Sequence, residues 1–92
     1  MPATFFLVGV HAERYPDIAR RIAEEGHEIG NHTYGHITVP TASNKALYEE
    51  VIKATRVIAQ TTGEYPKYIR PPRGVYDARF RRLSHVLGQK IV

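Results

Sequence analysis

The chain has 92 residues, enough for one domain with a modest core and no more. Apolar residues at 42% and charged residues at 24% are ordinary globular proportions that argue against disorder. Thirteen Lys and Arg against nine Asp and Glu leave a net charge of +4, which favours anionic partners only weakly, and the lack of cysteine excludes both a disulfide framework and a thiolate metal site.

Residues 3–8, Ala-Thr-Phe-Phe-Leu-Val, form a continuous apolar run bounded by Gly9, as expected of a strand buried on both faces of a parallel sheet. From Ala12 to Glu25 the pattern turns helical, with Tyr15, Ile18, Ala19 and Ile22 at spacings of three and four. Pro16 falls near the start of that helix, and Gly26 follows it as a C-cap. Glu28-Ile29 is a short β-prone step, which completes a β-α-β unit, and Gly30-Asn31 permits a bend after it. Thr38 to Ala42 reads as a loop. Ser43 or Asn44 caps a second helix running to about Thr62, closed by Gly63, with Leu47, Val51, Ala54 and Ile58 as its buried stripe.

Lys67-Tyr68-Ile69 is the next strand, stopped by Arg70-Pro71-Pro72-Arg73-Gly74, because two prolines neither continue a helix nor pair centrally in a sheet. Asp77 caps a third helix whose inner face is Phe80, Leu83 and Leu87 and whose end is Gly88. Lys90-Ile91-Val92 reads as the start of another strand. This alternation predicts a parallel α/β architecture without repeats, low-complexity tracts or linkers. No apolar run reaches the roughly 20 residues of a membrane span, and the first residues lack the basic region and cleavage-like site of a signal peptide. Opening inside one strand and closing inside another, the sequence reads as cut at both ends.

The chemistry concentrates in His27-Glu28-Ile29-Gly30-Asn31-His32-Thr33-Tyr34-Gly35-His36, which holds three of the five histidines. His32 and His36 stand four apart across a Gly-containing turn, a spacing that lets two imidazoles meet one cation at zinc-like distances of about 2.0 to 2.1 Å. An isolated pair of this kind recurs by chance; its place on a loop at a strand end, where α/β proteins keep their chemistry, favours the ligand reading. This is not the metalloprotease helix motif, since Thr33 stands where that motif has its general-base Glu. A catalytic zinc usually takes three protein ligands, so one must come from elsewhere.

Ala3-Thr4-Phe5-Phe6-Leu7-Val8-Gly9, the Gly26 to His36 stretch and Arg70-Pro71-Pro72-Arg73-Gly74, in that order, resemble the polysaccharide deacetylase family, the NodB homology domain of carbohydrate esterase family 4. The match covers essentially the whole chain but only the middle of a family domain. The resemblance implies one partial deacetylase domain over residues 1–92, folded as part of a distorted (β/α) barrel. It further implies removal of acetyl groups from N-acetylated sugars of chitin or peptidoglycan, with a divalent metal, zinc, as cofactor. Cell-envelope or extracellular placement would follow from the family.

By the same resemblance His32 and His36 are the metal ligands of the family's second motif, and Arg70 is the third-motif arginine that orients the catalytic aspartate. Arg73 matches the residue whose backbone N–H helps hold the oxyanion. The family usually has Tyr there; a backbone donor survives that change, though the groove alters. The family's Asp-Asp pair, source of the third ligand and the general base, belongs to a strand before Ala3, and its general-acid histidine lies beyond Val92. His85, inside the third helix pattern, does not take that part. The alternative is a catalytically inactive metal- or glycan-binding remnant of the fold.

The remaining polar residues read more plainly. His11 and His27 flank helix ends as surface or capping residues, and Arg79, Arg81 and Arg82 occupy the polar side of the third helix as a solvated face. Tyr65, Tyr68 and Tyr76 bracket the Arg-Pro-Pro loop as half-buried packing residues that could stack on sugar rings. Nothing beyond charge suggests a nucleic-acid binder.

Overall fold

Four parallel strands lie side by side in the order in which the chain makes them: β1 (Thr4–Leu7), β2 (Glu28–Asn31), β3 (Tyr68–Ile69) and β4 (Lys90–Ile91). This computed structural model describes residues 3–92. Between the strands run α1 (Gly9–Arg14), α2 (Pro16–Glu24), α3 (Asn44–Thr62) and α4 (Ala78–Leu87). Helices α1, α2 and α4 all pack against α3, which in turn packs on β2, so the helices form one layer over one face of the sheet.

Two apolar clusters fill that layer boundary. Val39, Leu47, Val51, Ile69 and Phe80 form the larger, with Leu83, Leu87 and Ile91 packed against it, and Ala12, Ala19 and Val57 form the smaller under Leu7. The expected α3 stripe of Leu47, Val51, Ala54 and Ile58 is buried throughout. Ser43 caps the helix by accepting the Ala46 N–H at 3.1 Å, and Gly63 closes it in the left-handed conformation. Asp77 caps α4 by accepting the Arg79 and Phe80 N–H groups, and Gly88, at φ 69, ends it.

Several expectations are corrected. The single helix from Ala12 to Glu25 is two, because the Pro16 ring pushes Tyr15 out of the helical region, to φ −125 and ψ 63, and the chain turns there. Tyr15 and Ile18, two of the four residues at that spacing, are exposed at 53% and 60%. The first strand is not buried on both faces: it is an edge strand, Thr4 and Phe5 are exposed, and its helix-free face is open. The second strand continues past Ile29 to Asn31, and the loop from Thr38 to Ala42 contains a 3-10 turn, Val39–Thr41.

His27 does not cap a helix. Its ring packs edge-on to Phe5 at 5.0 Å, and its Nδ1 accepts the Ala3 N–H at 3.0 Å. Arg79 is no solvated residue either; it is half-buried and donates to the Val39 and Ala42 carbonyls, to Asn44 and to Asp77, which ties the start of α4 to the entry of α3.

Candidate active site

All four strands are parallel, so their carboxyl ends share one edge, and the two motifs singled out in the sequence meet there. His32 follows β2 directly, with its N–H on the Leu7 carbonyl at 3.1 Å. Arg70 follows β3, with its N–H on the Asn31 carbonyl at 2.9 Å. Side chains alternate along a strand; Ile29, Asn31 and Ile69 point into the helix layer, which turns His32 and Arg70 to the open face. On that face Thr4, Phe6, Tyr68, Arg70 and Val92 line a cleft of about 330 Å³. Gly30 lets Phe6 lie across the sheet, since a Cβ there would come within 2.5 Å of the Phe6 ring.

The two imidazoles are in contact, with ring centroids 4.8 Å apart and planes at 69°. His32 Nδ1 lies 2.6 Å from the Arg70 carbonyl oxygen. A carbonyl only accepts, so Nδ1 carries the proton and the lone pair sits on Nε2. A carbonyl behind an imidazole in this way fixes the tautomer and raises ligand basicity in metal sites. Burial, opposed by that carbonyl and assisted by the charges of His36 and Arg70, holds the His32 pKa below the ordinary 6.5. The neutral, ligating form is therefore favoured near neutral pH. The pair fits two positions of a cation site, and among the described residues no third His, Cys, Asp or Glu joins it.

The loop that joins them is held in an unfavourable shape. Thr33 and His36 have left-handed φ values of 64° and 55°, a conformation that costs a non-glycine residue on the order of 1–3 kcal/mol. Its carbonyls are taken by the start of α1, where Gly9 and Val10 N–H groups reach the Thr33 and Tyr34 oxygens at 2.8 Å each. Position 9 is tight, because a Cβ would lie 2.9 to 3.1 Å from Tyr34 and the α3 backbone at Ala54, so a larger residue would push the loop and α3 apart. The loop's N–H groups go to side chains: Thr33 to Asn31 Oδ1 at 2.8 Å, and Gly35 to Glu50 Oε1 at 2.7 Å.

Asn31 is itself locked. Its amide, fully buried, donates towards the Val51 carbonyl, Thr55 Oγ1 and Gln89 Oε1, while Gln89 Nε2 donates to the same Thr55 oxygen at 2.8 Å. Thr55 in turn donates to the Val51 carbonyl at 2.8 Å. The Thr33 hydroxyl is buried without a hydrogen-bond partner among the described residues. Tyr34 anchors the outer side, its hydroxyl on Glu13 at 2.6 Å and its ring under Lys53 at 4.2 Å.

The guanidinium of Arg70 stacks over the Phe6 ring at 4.1 Å, and among the described residues no carboxylate pairs with it. Arg73 lies in the 3-10 turn Pro72–Gly74 with φ 61, exposed, and no intramolecular hydrogen bond among the described residues takes its N–H. The chain's two aspartates are elsewhere: Asp17 pairs with Arg20 on α2, and Asp77 caps α4. His85 is exposed on α4, away from the strand ends.

Sequence reasoning did not single out Asn31, Glu50, Thr55 or Gln89. An asparagine closing a strand is unusual enough to have marked Asn31. Glu50 and Thr55 look like any polar residues of a long helix, and nothing local marks Gln89.

The fold and site define a parallel α/β protein that gathers imidazole and guanidinium groups at the carboxyl ends of its strands. The polysaccharide deacetylase family profile matches residues 1–92, and the chain belongs to that family. It is 46% identical over 72 residues, 78% of this chain and 26% of the relative, to a peptidoglycan-N-acetylglucosamine deacetylase of Bacillus cereus. It is 37% identical to chitin deacetylase 1 of Saccharomyces cerevisiae, over 97% of this chain and 30% of the relative. The fold superposes with a TM-score of 0.92 on the crystal structure of a peptidoglycan N-acetylglucosamine deacetylase bound to a naphthalenyl N-oxidanyl-benzamide, at 37% identity over 97% of this chain and 42% of that one. The chain thus spans about a quarter to a third of the length of these curated relatives.

Proposed function

We propose that these residues form the imidazole and oxyanion side of a metal-dependent hydrolase site that removes N-acetyl groups from a polysaccharide of the peptidoglycan or chitin type. The observation that carries this reading is the His32–His36 contact with the Arg70 carbonyl behind His32, an arrangement that leaves the His32 Nε2 lone pair available for a divalent cation, zinc. Two relatives are named as deacetylases of peptidoglycan and of chitin, which supports the substrate class.

When bound, such a cation polarises the amide carbonyl and makes a water nucleophilic near neutral pH. The chain's own residues supply the rest of this half of the site. His32 and His36 hold the ligand positions. Arg70, a guanidinium without a carboxylate partner among the described residues, suits the holding of a catalytic aspartate. The Arg73 N–H suits a developing oxyanion; a donor of that kind is worth about 2.7–4 kcal/mol in a transition state. Among the described residues no carboxylate joins the histidine pair as base or third ligand.

A second reading, an inactive metal- or glycan-binding form, is favoured by the engagement of both aspartates away from the site. Acetate release from acetylated chitin and peptidoglycan oligomers by the full-length protein separates the two. The hydrolase reading expects release that a chelator stops, that His36→Ala abolishes, and that Arg70→Ala lowers in kcat more than in KM. Chelator-insensitive release, or full activity in His36→Ala, overturns it. Zinc binding without any acetate release supports the inactive form.

A further inference from the structure

Four backbone groups of the loop from Thr33 to His36 are satisfied from outside it, and three of those contacts come from neighbouring backbone or from Asn31 two residues away. The fourth comes from a side chain of another element. Glu50, on the middle of α3, sends its carboxylate to the Gly35 N–H at 2.7 Å, next to His36. Both carboxylate oxygens lie 3.5 Å from where a Gly35 Cβ would be, so the group sits squarely under this peptide.

Glu50 has little other occupation. It stands three residues before Lys53, a spacing at which opposite charges on a helix ordinarily pair. Here Lys53 lies over the Tyr34 ring instead, and Glu50 takes part in no ion pair among the described residues. A helix-surface carboxylate has thus been turned onto the loop, where a charged acceptor makes a stronger bond than a neutral one. His36 itself is exposed and left-handed, so the backbone just before it sets where its ring points.

We propose that Glu50 is a positioning residue for the histidine pair, its bond to the Gly35 N–H setting the His36 imidazole against His32. The proposal rests on the reading of these imidazoles as cation ligands. It predicts that Glu50 governs cation affinity without touching the cation, as groups behind metal ligands do, with about 10- to 100-fold loss when they are removed.

The test is calorimetric titration of the full-length protein with zinc chloride, together with its thermal midpoint and amide exchange at Gly35. Glu50→Ala is expected to bind zinc at least about tenfold more weakly and to exchange the Gly35 amide faster. Glu50→Gln, which keeps an acceptor oxygen, should return both towards wild type. Wild-type zinc affinity in Glu50→Ala overturns the proposal. So does an equal loss in Ala and Gln variants that tracks a fall in thermal midpoint, since that is a general stability effect. Wild-type affinity in His36→Ala is a different failure, because it removes the ligand reading underneath.

Discussion

Asn31 illustrates how one buried side chain fixes the position of a chemical group it does not touch. Its oxygen holds the Thr33 N–H and its NH2 faces three acceptors, the Val51 carbonyl, Thr55 and Gln89. Truncation would leave several buried polar groups without partners, each costing roughly 1–3 kcal/mol, partly offset by any water that enters. Asn31→Ala is therefore expected to destabilise the folded protein by about 3 kcal/mol in urea denaturation. Asn31→Asp should be worse although its shape is nearly identical, because it presents oxygen to oxygens. Equal stability of the Asp variant and wild type would refute this account. His32 and His36 were visible in the sequence because four-residue spacing is a local signal. The groups that hold them come from 20 to 58 residues away from Asn31, as single polar residues without periodicity, so no reading of a window finds them.

Among the elements, α3 was the most legible and the α1–α2 pair the least. In α3 a buried stripe, an N-cap and a left-handed glycine agree about one helix, from Asn44 to Thr62. In the earlier pair the three-and-four spacing runs straight through Pro16, and only the steric restriction on Tyr15 reports the break. The cap of α4 allows a pH test. The Arg79 guanidinium beside Asp77 holds its carboxyl below the ordinary value of 3.8, helped by the Phe80 and Arg79 N–H groups. A carboxyl with a lower pKa folded than unfolded adds stability that is complete above 3.8 and lost as the pH falls through its folded value. Asp77→Asn keeps a capping oxygen but cannot titrate. Between about pH 5 and pH 2 its thermal midpoint should fall less than that of wild type, and parallel curves would count against the assignment.

At the largest scale, the described residues cover the sheet with helices on one side. Phe5 is 40% exposed on edge strand β1, and the opposite face carries the cleft lined by Phe6 and Tyr68. Unpaired edges and open apolar faces invite association. The 92-residue chain on its own is expected to self-associate, with a melting transition that shifts with concentration; a monomer with a sharp, concentration-independent melt in sedimentation and calorimetry would contradict this. The parallel α/β class followed from strand and helix alternation, but which side stays open did not, because side-chain pattern alone does not say which elements cover a strand. The three-way meeting of Asn31, Thr55 and Gln89 also orders events in time. Because a chain is made from its amino end, the histidine loop emerges before Thr55 and Gln89, so the amide of Asn31 keeps water as a partner until they arrive. The loop that carries the chemistry is thus fully set only once a residue 58 positions further on has taken its place.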